Sequence, residues 1–231
     1  MRRRMNTLYI LLLIQILGVA SLQVRASSKD AWDACRKDWS PLMHAVYKSS
    51  LTRAERLIGS GANVMYESES GLTVLDVAIR VQSYNAVDLV LGAGKFQVDS
   101  SNRPVIVACQ YQNTSIVRRL VAAGYSIQGT DEGWTPLMAA SSFGPAETVH
   151  YLISLGADVN KLTDRSRQSA LMYAVQAWKI DNVEALSMTG ARPEQLDANG
   201  NSVCDHISSM ESVKPRIEVS RMKVLLQCEE P

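Results

Sequence analysis

The chain has 231 residues, 46% of them apolar, with 24 basic and 23 acidic side chains and a formal net charge of +1. That balance, with no cluster of Lys and Arg along any one helix, is not that of a nucleic-acid-binding domain. The length is ample for one extended domain. The chain opens with MRRRMNTLYILLLIQILGVASLQVRA: three Arg, an apolar run from Leu8 to about Val19, and a short polar stretch ending at Ala26. Such an order of charged, apolar and small residues is that of a secretory signal. The run falls short of the ~20 residues that span a bilayer, and Gln15 interrupts it. Residues 1–26 are therefore expected to be a signal peptide cleaved after Ala26, with Ala20 as second site; an uncleaved membrane anchor is the alternative. Cleavage removes four Arg and no acid, leaving 20 basic and 23 acidic residues. The following stretch, SSKDAWDACRK at 27–37, reads as a short first helix.

From Ser40 onward a six-residue pattern recurs. It reads SPLMHA (40–45), TVLDVA (73–78), RPVIVA (103–108), TPLMAA (135–140), SALMYA (169–174) and SVCDHI (202–207). The last residues of these segments, Ala45, Ala78, Ala108, Ala140, Ala174 and Ile207, are spaced by 33, 30, 32, 34 and 33. The clearest copy lies in DEGWTPLMAASSFG (131–144). There Thr135 is a helix N-cap whose hydroxyl can accept an orphan amide, and Pro136 sits at the first helical position, where no N–H is needed. Leu137, Ala140 and Ser141 share one helix face, and Gly144 ends the helix. A second signal keeps step about sixteen residues after each small residue: a helix end followed by Gly, as in RLIGSGANV (56–64), LVLGAGKFQV (89–98), RLVAAGYSI (119–127), YLISLGADVN (151–160) and ALSMTGARP (185–193). Each unit is thus helix, tight turn, helix and Gly-capped loop, with Leu57, Leu89, Leu120 and Leu152 as core residues of the second helices. One such unit buries too little apolar surface alone, and stacked units share a core.

With these units the sequence resembles the ankyrin-repeat family over roughly residues 37–226. The copies at 131–160 and 39–64 carry the likeness best, and the sixth keeps only its first helix clearly. The family's usual His at the fourth motif position is absent; Met43, Asp76, Ile106, Met138, Met172 and Asp205 stand there. The resemblance implies an all-α solenoid of about six repeats, near 37–70, 71–100, 101–131, 132–165, 166–198 and 199–231, the last degenerate. Residues 27–36 are expected to cap its exposed first end. Most of the family works inside cells; joined to a secretory signal, the resemblance suggests a periplasmic or secreted bacterial protein.

Four cysteines occur, at 35, 109, 204 and 228. In the repeat register Cys204 stands early in a first helix and Cys228 late in the last helix. Paired helices run antiparallel, so the two are expected to meet in a disulfide closing a loop of about 24 residues. Cys35 and Cys109 lie about two units, roughly 20 Å, apart, too far to pair. Cys109, beside Ala108, reads as a buried small apolar residue; Cys35 is left as a surface thiol or an intermolecular partner. His44 and His206 hold one motif position five units apart, and His150 lies in the other helix layer, so no two can share a metal or a triad. Asp131, Asp158, Asp164 and Asp197 sit at loop tips and read as turn-forming residues. No catalytic residue, cofactor or metal is expected.

What remains is a binding surface. In ankyrin proteins the residue before the first helix lies at a turn tip and faces a partner. Trp39 and Trp134 hold that place here, and Tyr47, Arg80, Gln110 or Tyr111, Phe143 and Gln176 come late in the first helices, toward the concave side. Trp39, Tyr47, Tyr111, Trp134 and Phe143 are therefore the candidate anchors, an aromatic set suited to binding hot spots. Trp178, in place of a helix-ending Gly, reads as a packing residue. The expected function is non-catalytic binding of a protein partner by a monomer outside the cytoplasm. The alternatives are a membrane-tethered scaffold, touching the membrane only through the signal segment, and an accessory protein supporting an envelope enzyme, for example in oxidative-stress defence.

Overall fold

The computed structural model describes residues 36–94, 102–128 and 133–228. The expected signal peptide, nearly all of the cap segment, Cys35 and Asp131 lie outside them. The described residues form twelve helices and no strand. The first helices of the six units are α1 (Pro41–Tyr47), α3 (Val74–Arg80), α5 (Arg103–Gln110), α7 (Pro136–Phe143), α9 (Ala170–Gln176) and α11 (Val203–Ser209). The second helices are α2 (Leu51–Gly59), α4 (Tyr84–Ala93), α6 (Thr114–Ala122), α8 (Ala146–Ser154), α10 (Ile180–Ser187) and α12 (Arg216–Leu225). First helices touch first helices of the next unit, second helices touch second helices, and the two helices of a unit pack on each other. This is the two-layer stack expected from the repeat period.

Local chemistry starts these helices. Ser40, Thr73, Thr135, Ser169 and Ser202 each accept a hydrogen bond from the backbone amide three residues on, so five of the six first helices carry a side-chain N-cap. Each cap satisfies an amide that the helix itself leaves unpaired. Where the family pattern has His, other residues complete the cap. Asp76 accepts from both the Thr73 amide and hydroxyl at 2.9 Å, and Asp205 accepts from the Ser202 amide at 2.7 Å and hydroxyl at 2.6 Å. The Thr135 amide lies 3.4 Å from the Met138 sulfur. The turn geometry therefore survives the absence of the His.

The core runs as a continuous seam between the layers. Residues 136–141 of α7 are all buried, because this helix is covered by α5 on one side and α9 on the other. Leu120 and Leu152 are fully buried as expected, whereas Leu57 and Leu89 are only partly so. In the second unit Val90, not Leu89, occupies the register of Leu120 and Leu152, and it is fully buried. Leu57 lies on α2, which has a second-helix neighbour on one side alone among the described residues. Cys109 is buried on the inner face of α5, and that burial pushes its thiol pKa far up, so it stays protonated and apolar.

The loop glycines follow expectation in four units. Gly61, Gly124, Gly156 and Gly190 all have positive φ. The second unit differs, with Gly94 at φ −93° in extended backbone. Gly144 ends α7, as expected, but at φ −74° and not in the left-handed region. It is needed there for space, because a Cβ would lie 2.9 Å from the Ala140 carbonyl oxygen. Asn182 of α10 explains the tight fit. Its buried side-chain amide donates to the carbonyls of Ala140, Ser141 and Gly144 at 3.3, 3.0 and 3.1 Å, closing the end of α7 from the next unit.

The last unit is pinned covalently. Cys204, in the first turn of α11, is bonded to Cys228 just past α12, with Cα atoms 5.6 Å apart. Trp178, at φ 57°, also reaches it: its indole N–H donates to Glu218 at 2.6 Å, and Lys214 lies 5.1 Å from the ring centroid. Trp178 thus ties the fifth unit to the sixth.

Candidate partner-binding surface

The first helices end in a row of turns, one per unit, and the candidate aromatics distribute themselves about that layer unequally. Trp39 is only 6% exposed. Its ring lies edge-on against Tyr47 with centroids 5.5 Å apart, and 5.7 Å from His44. Trp134 is half-buried, edge-on to Tyr173 of the next unit at 4.4 Å. Both Trp rings therefore spend most of their area on packing within the stack, as aromatic pairs of this geometry do. Tyr47, Tyr111 and Phe143 hold the opposite, C-terminal ends of α1, α5 and α7, and all three are half-buried. Over the Tyr47 ring lies the Arg36 guanidinium at 4.7 Å. Arg80, from the preceding unit, donates to the Tyr111 hydroxyl at 3.2 Å. The five candidates do not converge. They fall into one line near the helix starts (Trp39, Trp134) and another at the helix ends (Tyr47, Tyr111, Phe143).

Next to Tyr111 is a shallow open depression lined by Gln82, Gln110, Tyr111 and Gln112. Gln82 and Gln112 were not among the residues singled out in the sequence. They hold φ of 54° and 58°, and Ser49 and Trp178 take the same left-handed conformation at the equivalent turn. All four align with Gly144, which takes φ −74° in the fourth unit, so the register alone did not signal the left-handed turn.

Among the described residues no group of three His, Cys, Asp or Glu is placed to hold a metal, and no helix is long and apolar enough to cross a membrane. The loop-tip acids do turn work. Asp197 accepts from the Asn199 and Asn201 amides at 2.8 and 2.9 Å, and Asp158 accepts from the Asn160 amide at 3.0 Å. The Asn201 amide above all, then the Asn199 amide and His206, whose Nε2 is 3.2 Å away, hold the Asp197 carboxyl below its ordinary value of 3.8 against the effect of burial. Asp205 is also held low, first by the Ser202 hydroxyl and then by its amide. A carboxylate with a depressed folded-state pKa adds stability that is complete above its unfolded value and lost as pH falls through the folded one. Acidification from about pH 5 to 3 is therefore expected to loosen the sixth unit before the others. Amide exchange followed by NMR checks this: α11 should lose protection ahead of α7, and Asp197→Asn should weaken that pH dependence.

A family model for ankyrin repeats (three copies) matches residues 105–197. Over 147 residues, 62% of this chain, the sequence is 30% identical to the ankyrin repeat protein nuc-2 of Neurospora crassa, covering 14% of that protein. The chain spans a fifth or less of the length of the curated relatives it matches. Among solved structures, an ankyrin repeat domain from Acinetobacter baumannii superposes with a TM-score of 0.66 at 23% identity, covering 81% of this chain and 96% of that one. The ankyrin repeat domain of Bcl-3 superposes with a TM-score of 0.63 at 21% identity, covering 82% and 86%. At such identities the likeness is one of fold. Residues 105–197 are ankyrin repeats, and the stack that contains them is an ankyrin-repeat solenoid.

Proposed function

We propose that this chain is a non-catalytic binding module that captures a protein partner outside the cytoplasm. The observation that carries this reading is the linear layout: equivalent side chains recur unit by unit along one layer and do not converge on a common point. A long open face of this kind suits another protein better than a small metabolite, which needs an enclosing pocket. Tyr47, Tyr111 and Phe143 serve as contact residues, while Trp39 and Trp134 stiffen the units that present them. The compartment rests on the signal-like N-terminus and on the Cys204–Cys228 bond, since disulfides persist mainly in oxidising compartments.

Affinity capture from the native envelope and secreted fractions tests the reading. Tyr111→Ala with Phe143→Ala is expected to weaken capture by about tenfold or more, the scale of losing a binding hot spot, while leaving the helical circular-dichroism signal intact. Capture of the same partner at undiminished strength places the surface elsewhere on the molecule.

A further inference from the structure

The terminal unit of a stacked array ordinarily turns a polar outer face to water. The sixth unit does the reverse. Val213, Ile217 and Val224 are 74%, 85% and 78% exposed, against 53% or less for Met65, Tyr84 and Leu155 in earlier units. Ile217 and Val224 lie seven residues, nearly two helical turns, apart on α12, so they share one side of it. That side is opposite the buried Val219, Met222 and Leu226, and therefore faces away from the first-helix layer. The register shows that the apolar stripe belongs to α12. Five residues before the buried Leu120, Leu152, Leu186 and Met222 stand Ser115, Glu147, Asp181 and Ile217; two residues after them stand Ala122, Ser154, Met188 and Val224. All eight places are exposed, and of these helices α12 alone has a large apolar side chain at both.

The charges around the stripe decide what covers it. They are of both signs. Arg221 pairs with Glu184 at 3.0 Å, Lys223 with Glu211 at 2.6 Å, and Glu218 accepts the Trp178 indole N–H. Lys214 and Arg216 are exposed at the start of α12, and Glu229 and Glu230 follow its end in the sequence. An anionic lipid surface, which needs an excess of cations, is a poor match for such a face. A second copy of the chain is a good one. With the two α12 helices antiparallel, Lys214 and Arg216 of each copy lie toward Glu229 and Glu230 of the other. The stripe is self-complementary in the same orientation: Ile217 lies against the copy's Val224, and Val224 against its Ile217, as a two-fold contact requires. Ser220 falls between them, small enough for the helices to approach closely.

We propose that the chain pairs with a second copy of itself through the outer face of α12, the two helices antiparallel and Ile217 and Val224 at the centre of the contact. Three apolar side chains with a charged surround make a small interface, below ~1,200 Å² in total, where association is weak. A dissociation constant on the order of 10 μM is therefore expected. Because the stripe lies on the second-helix layer, the turns of the first helices stay open in both copies. A pair then presents the partner-binding face twice, which raises the strength of capture for a partner with two sites. That consequence rests on the partner-binding reading above; the pairing itself does not.

Analytical ultracentrifugation of the full chain, as the cell processes it, tests the proposal between about 1 and 100 μM, a range that brackets the expected constant. The mass should rise from one chain to two across it. Ile217→Asp with Val224→Ser installs the residues that α10 and α8 carry at those places, Asp181 and Ser154, so the fold should tolerate both. This variant is expected to raise the dissociation constant by about tenfold or more, with the helical circular-dichroism signal unchanged. Arg216→Glu should weaken pairing, and adding Glu229→Arg and Glu230→Arg to it should restore it. Leu155→Ser, at an exposed apolar residue of the fourth unit, is the control and should pair like the parent. A single chain at every concentration, pairing untouched by Ile217→Asp with Val224→Ser, no restoration by the reversed charges, or flotation with phosphatidylglycerol vesicles in place of pairing each overturns the proposal. Capture of the native partner is measured separately, so the broader reading stands or falls on its own test.

Discussion

Leu137→Ala is expected to lower the unfolding free energy by about 3–5 kcal/mol, the range for a large-to-small change at a site that relaxes little. Leu137 is wholly buried, and its helix α7 is covered by α5 and α9. In a stack where each unit contacts only its neighbours, stability is a sum of unit terms and interface terms. A cavity in the fourth unit weakens both of its interfaces at once. It also divides the array, so chemical denaturation of the variant should broaden, with three units on one side able to melt apart from two on the other. Denaturation followed by helical circular dichroism measures both effects. Met222→Ala on α12 is the comparison: it is as buried as Leu137 but sits in the terminal unit, so its loss should stay local. A loss below about 1 kcal/mol for Leu137→Ala, with an unchanged sharp transition, would contradict the nearest-neighbour picture.

Replacing Cys204 and Cys228 together by Ser is expected to cost about 3 kcal/mol in the sixth unit, the chain-entropy value for a closed loop of this length. The two positions are 24 residues apart. Apart from the Trp178–Glu218 bond and the pairs of Arg221 with Glu184 and Lys223 with Glu211, α12 is held by little apolar burial. Its buried residues are Val219 and Met222, and Ile217 and Val224 are exposed. The double variant should therefore lose amide protection over α11 and α12 while α1 to α8 keep theirs. Trp178 offers a second readout, because its bond to Glu218 and its contact with Lys214 both depend on the sixth unit staying docked. Its fluorescence should shift toward that of a solvated indole. Equal protection of α11 and α12 in parent and variant would show that packing alone holds the end of the stack.

Much of the fold was legible from the chain because its instructions are local. Ser or Thr three residues ahead of the amide it caps, Pro at the first helical position and Gly at positive φ each act within a single turn, so they appear as short motifs in the right order. The period near 33 then dictated stacking, and the register brought Cys204 toward Cys228 across 24 residues. Even the exceptions follow local rules, since Asp76 and Asp205 complete caps where the family has His.

What the aromatic residues do was decided between units. Trp39 and Trp134 occupy equivalent places in the pattern and were expected to look outward, yet one is buried against Tyr47 and the other packs on Tyr173, 39 residues further along. Asn182 closes the end of a helix about 40 residues earlier, and no motif announces it. The shallow depression lined by Gln82, Gln110, Tyr111 and Gln112 arises only where the turns of the second and third units meet. Sequence by itself determined the shape of each unit and the period at which units repeat, because caps and turns are chosen within a few bonds. The tertiary structure decided which side chains remain available to a partner, because exposure depends on what the neighbouring unit places opposite.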